Sequence, residues 1–365
     1  MIYVVFFSCL LILRCFLRMR VHQRQLLYKP LLVLLLLISA FRFEVGCDWS
    51  GYLNQFYVYG ALSSIDILFI NSPLWYNFFI FQNWAGLPYP WINVFSSLIF
   101  FYGIHALARR QPDPFSFLIL LFPILIINMP MSGIRQAAAI GVMCIAFVAF
   151  TDRSIWRFLI FTLLAALFHS SALIFLLLTP IVTGRYSNRR IILSLLLTAP
   201  GAFLLLSGAA AEEAMGRYID SGIVASGAIY RLSILLLTAI LFWLSLKQKW
   251  LKTFPSDYKL VMIGSLLMAV IFALTMVSSV ISDRFGYYLI PIQAVILARI
   301  PFLPIPKNRS IFSLVPYLGL LVVFIIYATM SSIFKECYIP YETWLFGLPE
   351  GADFSLSNPR YSPLL

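Results

Sequence analysis

Four short polar stretches interrupt an otherwise apolar chain, and each carries side chains able to do chemistry. RFEVGCDWSGY holds Arg42, Glu44, Asp48 and Tyr52, and SGIRQAAA holds Arg135 and Gln136. LFHSSAL holds His169, and SDRFGYY holds Asp283, Arg284 and Tyr287. A charge at membrane depth costs roughly 2.5 to 3.5 kcal/mol on insertion scales, so each invites a functional reading. Arginine presents a planar, permanently charged fork that takes phosphate oxygens in pairs. Arg42, Arg135 and Arg284 together point to an anionic ligand, for which a lipid-linked diphosphate is a fit. Asp48 and His169 are the groups that can remove or orient a hydroxyl proton.

Each residue also has a plainer explanation. Arg42 and Arg284 are equally well read as snorkelling to lipid headgroups. A lone histidine is more often a satisfied core residue, and Asp48 can pair with Arg42 or cap a helix. Arg135 resists such readings. Gly133 and Ala137 to Ala139 surround it, and small residues let helices approach closely, so Arg135 is expected to face a bundle interior. Arg14 and His105 are read as snorkelling or structural.

The elements that must position these groups are membrane helices. The chain has 365 residues, 62% hydrophobic, 16% aromatic and 11% charged, with mean hydropathy +0.93. A soluble domain is about 25% charged, so no water-facing surface can be built from this composition. The net charge of +12 sits in short clusters between apolar runs, which is the positive-inside pattern and not a nucleic-acid footprint. At about 20 residues per span, the chain is an all-α, polytopic transmembrane bundle of roughly 10 to 12 spans. The bundle occupies residues 1–330, with a main outer loop at 42–89, and 331–365 form an outer tail.

Alternation places both chain ends outside the cytoplasm, with Ile2 to Leu17 as a retained first span and Pro30 to Phe41 leading outward. Ser72 to Gly86 reads as a short interfacial or re-entrant helix, since Trp75, Tyr76 and Trp84 suit headgroup level. Trp91 to Ala108, Phe115 to Asn128 and Ala137 to Phe150 then alternate. A single span over Phe158 to Val182 would put Arg185, Arg189 and Arg190 outside, so a helical hairpin with His169 at its tip is expected. Ile191 to Ser207 leads to an acidic loop with Glu212, Glu213 and Asp220. Leu232 to Leu246, Leu260 to Ile281, Phe285 to Ile300 and Ser310 to Met330 complete the bundle. The five cysteines form no CxxC or Cys/His cluster. Cys47 and Cys337 both fall outside, where a disulfide is permitted. Trp49, Tyr52, Trp75, Trp84, Tyr341 and Trp344 suit stacking on sugars or anchoring at the interface alike.

At its polar stretches the chain resembles the EpsG family, relatives of the Wzy-type polymerases of bacterial exopolysaccharide and O-antigen. The family pattern is met by Arg42, Val45, Gly46, Asp48, Trp49 and Tyr52, then by Ile134, Arg135 and Gln136. It continues with His169, Ser170, Ala172 and Leu173, with Asp283, Arg284 and Tyr287, and with Tyr338, Pro340 and Tyr341. Cys47 stands where the family usually has a small hydroxyl residue.

The resemblance implies a glycosyltransferase at the outer face of the bacterial inner membrane that joins oligosaccharide repeat units carried on undecaprenyl diphosphate. On that reading Asp48, Arg135, His169 and Arg284 are catalytic. Arg42, Glu44, Tyr52, Gln136, Asp283, Tyr287 and Tyr341 bind substrate. No Asp-x-Asp motif appears, so chemistry without metal or cofactor is expected. The expected partners are lipid-linked glycans, membrane lipids, a flippase and chain-length regulator proteins, with no nucleic acid. A flippase of lipid-linked glycans, which should show repeat symmetry, and an O-antigen ligase or membrane acyltransferase are the alternatives.

Overall fold

The computed structural model describes residues 2–15, 21–60, 72–183, 227–305 and 309–349, with the isolated residues 62, 189, 192, 352 and 354. Among the described residues, six helical runs are long and apolar enough to cross a membrane: His22–Ala40, Trp91–Ala108, Ile134–Thr151, Ala228–Thr253, Ser279–Phe302 and Ile311–Met330. Five shorter apolar helices join them, Ile2–Arg14, Pro114–Ile126, Ile155–Phe168, Ser170–Ile181 and Tyr258–Leu274. The only strands among the described residues are β1 (Arg42–Phe43) and β2 (Glu342–Thr343), antiparallel with Arg42 opposite Thr343. The molecule is an all-α, multi-pass membrane bundle.

Its chain order is α1 (Ile2–Cys15), α2 (Val21–Ala40), α3 (Trp49–Gly60), α4 (Pro73–Trp84), α5 (Trp91–Ala108) and α6 (Pro114–Leu121), which runs into a π-helical turn (Phe122–Ile126). There follow α7 (Ile134–Thr151), α8 (Ile155–Phe168) and a 3₁₀ segment (Ser170–Ile181). Then come α9 (Ala228–Leu241), α10 (Lys247–Thr253), α11 (Tyr258–Leu274), α12 (Ser279–Arg299), α13 (Arg309–Met330) and α14 (Ser332–Tyr338).

Burial sorts these helices into a centre and a rim. In the spans of α7 and α12, 83% of residues are buried inside the protein, against 28% for α2 and 22% for α13. Without water between helices, close backbone packing supplies the association energy. The α5–α7 pair uses it: a Cβ on Gly103 would overlap the carbonyl of Gly141, and one on Gly141 would meet the backbone of Ile99 and Phe100. That contact fixes α7, whose first turn carries Arg135.

Several charges at the end of the bundle opposite Arg135 are paired within the protein. Arg24 pairs with Asp113, Arg299 with Asp257, and Arg110 with Asp152. Arg14 donates to Ser116 (3.1 Å) and lies over the Tyr317 ring, and His105 shares a 2.8 Å hydrogen bond with Tyr28. Arg14 and His105 are therefore structural.

The expected hairpin is present. The helix of α8 breaks at His169, whose backbone is extended (φ −151°, ψ 114°), and the 3₁₀ segment packs back along α8. Its far end returns to the α7–α8 turn end of the bundle, where Lys259 donates to the Ile181 carbonyl. The 3₁₀ geometry has a physical use. At about 2 Å rise per residue, its 12 residues reach about 24 Å, matching about 21 Å for the 14 residues of α8 at 1.5 Å each.

Several boundaries differ from expectation. The helix of α2 begins at Val21, ahead of Pro30. The turn between α11 and α12 falls at Thr275 to Ser278, not at Asp283. The Ser278 hydroxyl accepts from the Ile281 N–H (3.3 Å) and starts the helix there, which puts Asp283 and Arg284 in the second turn of α12. The helix of α9 starts at Ala228 and so takes in Arg231. The short helix α4 is present, with Trp75 fully buried against Tyr52 and Phe79 and Trp84 82% exposed. The expected span Ile191 to Ser207, the acidic loop with Glu212, Glu213 and Asp220, and the basic stretch at 185–188 and 190 lie outside the described residues.

Candidate functional site

The polar residues collect at one end of the bundle around a cavity of about 530 Å³. It is lined by Asp48, Gly51, Tyr52 and Gln55 at the start of α3, by Asn128 to Gly133 in part, and by Arg135 and Gln136 of α7. His169 at the hairpin tip, Arg231 of α9, and Asp283, Arg284 and Tyr287 of α12 complete the far wall, with Tyr327, Ile333 and Tyr338 above. Helix directions contribute to its electrostatics. The N-termini of α3, α7, α9 and the 3₁₀ segment all bring residues to it, and the N-terminal end of a helix carries partial positive charge and unpaired N–H groups. Three arginines face two aspartates across the lining, a formal excess of one positive charge with His169 neutral. A net positive lining of this kind favours anions over cations.

Arg135 lies in the first turn of α7, so its position follows from the glycine contact behind it. Its guanidinium donates to the Tyr76 hydroxyl at 3.1 Å, and its backbone N–H approaches the Tyr52 hydroxyl at 3.4 Å. Among the described residues it forms no ion pair. Gln136, next along the helix, turns away and donates to the Arg284 carbonyl (2.6 Å), which ties α7 to α12. Asp48 accepts from the Ser132 hydroxyl at 3.2 Å. His169 has its Nδ1 engaged by Ser171, with Oγ at 2.7 Å and the backbone N–H at 3.4 Å, and Ser171 in turn meets the Tyr288 hydroxyl at 3.1 Å. Because Nδ1 accepts the backbone N–H, the neutral ring carries its proton on Nε2.

Asp283 is held by a residue absent from the sequence expectations. Arg231 grips it with both Nε (to Oδ1, 2.9 Å) and Nη2 (to Oδ2, 2.7 Å) and lies over the Tyr287 ring. A signal for it existed: Arg231 stands at the same end of its span as Arg135 and Arg284. The apolar run itself begins only at Leu232, which hides that the helix starts at Ala228 and takes in Arg231.

Of the expected site residues, Asp48, Tyr52, Arg135, Gln136, His169, Asp283, Arg284 and Tyr287 line the cavity, and Arg42, Glu44 and Tyr341 do not. Arg42 is 1% exposed, donates to the Val45 carbonyl and to Asn93 Oδ1 (2.7 Å), and faces the Trp49 ring. Complete burial lowers its pKa, opposed by Tyr89, Tyr338, Tyr52 and Asp48. Tyr341 donates to the Ile38 carbonyl (3.0 Å). Glu44 takes a left-handed backbone, φ 51°, in the turn after β1. Of the aromatic residues that suited sugar stacking, only Tyr52 lines the cavity.

These outlying residues brace the cavity wall. Cys47 and Cys337 form a disulfide, with Cα atoms 4.8 Å apart. The Gly46 N–H donates to the Cys337 carbonyl (2.6 Å), and the Trp344 N–H to the Phe41 carbonyl (2.9 Å). Gly46 has φ +105°, and a Cβ there would overlap the Met131 carbonyl, so glycine is required for both reasons. The position that usually carries a small hydroxyl is here a covalent tie.

No curated protein matches the chain, and no solved structure matches it. The EpsG family model matches residues 25–343, a stretch that contains every residue lining the polar cavity. With the match running over nearly the whole bundle, the chain belongs to the EpsG family.

Proposed function

We propose that this protein is a polymerase of a bacterial surface polysaccharide, acting as a glycosyltransferase at the outer face of the cytoplasmic membrane. Its donor is a growing glycan on undecaprenyl diphosphate, and its acceptor is a hydroxyl at the non-reducing end of a new lipid-linked repeat unit. One observation carries this reading: a cavity inside a membrane bundle brings together three arginines, two carboxylates and one histidine.

The chemistry follows from those groups. The acceptor oxygen attacks the anomeric carbon, the bond from that carbon to the diphosphate breaks, and its electron pair leaves on the diphosphate. Arg135 and Arg284 hold the diphosphate and meet the charge that develops on it. Asp48 takes the acceptor's hydroxyl proton. His169, with Nδ1 held by Ser171, offers Nε2–H as a donor to a substrate oxygen. Gln136 and the Arg231–Asp283 pair hold α12 and α9 in register around the site.

The test is the polysaccharide ladder of a deletion strain. Surface products of a single repeat unit with long chains lost are the expected result, restored by the intact gene and not by Asp48→Asn. Loss of every surface unit would overturn the polymerase reading in favour of a flippase.

A further inference from the structure

A second cavity of about 340 Å³ adjoins the polar one. It lies between Pro123 and Ile124 of the π turn and Val323, Ile326 and Met330 of α13. Its character is set by these apolar side chains, and Asn128, Arg231 and Tyr327 line both cavities. Its rim faces outward, since Ile326 is 53% and Met330 80% exposed on a helix whose outer side meets lipid. The local backbone makes the space. Pro123 has no N–H for a helical hydrogen bond, and a π turn widens the helix at that point.

An apolar slot open to the bilayer and ending on an arginine selects an amphiphile with one chain. In a phospholipid, glycerol esters separate the phosphate from the acyl chains. In a polyprenyl diphosphate the hydrocarbon begins one bond from the phosphate oxygen, so apolar wall and cations must abut. They do so here, where the slot opens through Asn128, Arg231 and Tyr327 into the cavity that holds Arg135 and Arg284. We propose that the two cavities form one bipartite site for a polyprenyl diphosphate, with the diphosphate among the arginines and the first isoprene units between the π turn and α13. This rests on the lipid-linked donor reading given above.

The experiment uses the full chain in phosphatidylethanolamine vesicles and a polyprenyl diphosphate bearing a diazirine on its second isoprene unit. Photolabel is expected on α13 between Val323 and Met330 and on the π turn, and excess unlabelled undecaprenyl diphosphate should suppress it. Phosphatidylglycerol at the same excess should not. Val323→Trp fills the slot and should lower labelling about tenfold or more, equivalent to about 1.4 kcal/mol. Val322→Trp, one residue away and 56% exposed, should leave it unchanged. Label spread over the outer helix faces, or equal competition by phosphatidylglycerol, would overturn the proposal. The label map of the unaltered protein decides the matter even if a tryptophan variant fails to insert. Labelling in the slot by a protein that forms no polymer would sink the polymerase reading alone. Polymer formation with label elsewhere would sink the slot alone.

Discussion

At the scale of single residues, the most exacting position is Arg135. It sits in the cavity with a tyrosine hydroxyl where Arg231 has a carboxylate, so its second face is left for substrate oxygens. Lysine keeps the charge and loses the fork. Charge-assisted hydrogen bonds contribute roughly 1.5 to 3 kcal/mol each, and losing a pair would slow the reaction by about two to four orders of magnitude. Arg135→Lys is expected to be nearly as defective as Arg135→Ala in polymer formation, with both present in membranes at normal amounts. A lysine variant making full-length polymer would show that charge alone suffices. Tyr76→Phe, which removes one hydrogen bond and leaves the fork, should lose roughly tenfold or less. Most of the charged lining was legible in the sequence, because a charge within an apolar run is costly enough to need a reason. Arg231 was not, because a span read from Leu232, where the helix begins at Ala228, leaves it in a loop. The burial of Trp75 was not legible, because an aromatic facing lipid and one packed under a short helix look alike in sequence.

At the scale of elements, the site depends on two backbone solutions. One is the break at His169, predicted from charge alternation and found as a helix followed by a 3₁₀ segment. What the alternation could not supply was the 3₁₀ geometry, which lets a short arm match the depth of its partner. If both arms lie in the membrane as a hairpin, reporters fused after Arg153 and after Thr183 will report the same side. Opposite sides would mean a single crossing. The other solution is the α5–α7 contact at Gly103 and Gly141. Gly141→Val should force the helices apart and cost about 1 to 3 kcal/mol or more from overpacking. It should lower the thermal stability of the purified protein and displace Arg135, though the altered residue does not line the cavity. A melting curve unchanged from the parent protein would rule this out.

At the scale of the whole molecule, the cavity wall is closed by the two ends of the chain. The first outer segment and the tail are joined by a strand pair, by backbone hydrogen bonds and by the Cys47–Cys337 disulfide. The sequence allowed that bond without requiring it, since two isolated cysteines carry no spacing signal. Alkylation of membranes prepared without reductant should leave Cys47 and Cys337 unmodified, and alkylation after reduction should add two labels to them. Cys47→Ser restores a hydroxyl and breaks the tie, so it should lower thermal stability, and it should impair polymer formation as far as the wall loosens. The same closure sets an order of events during synthesis. Asp48 and Tyr52 are made long before the Tyr338 that lines the same cavity, and 290 residues separate the bonded cysteines. A nascent chain can therefore carry Arg135, His169 and Arg284 in the membrane without a finished pocket. On the proposed topology, closure requires export of the segment around Cys337 into an oxidising compartment, where it meets a Cys47 made before every described helix from α3 to α13. Activity is thus withheld from incomplete chains, and a copy truncated after Met330 should insert, bind poorly and make no polymer.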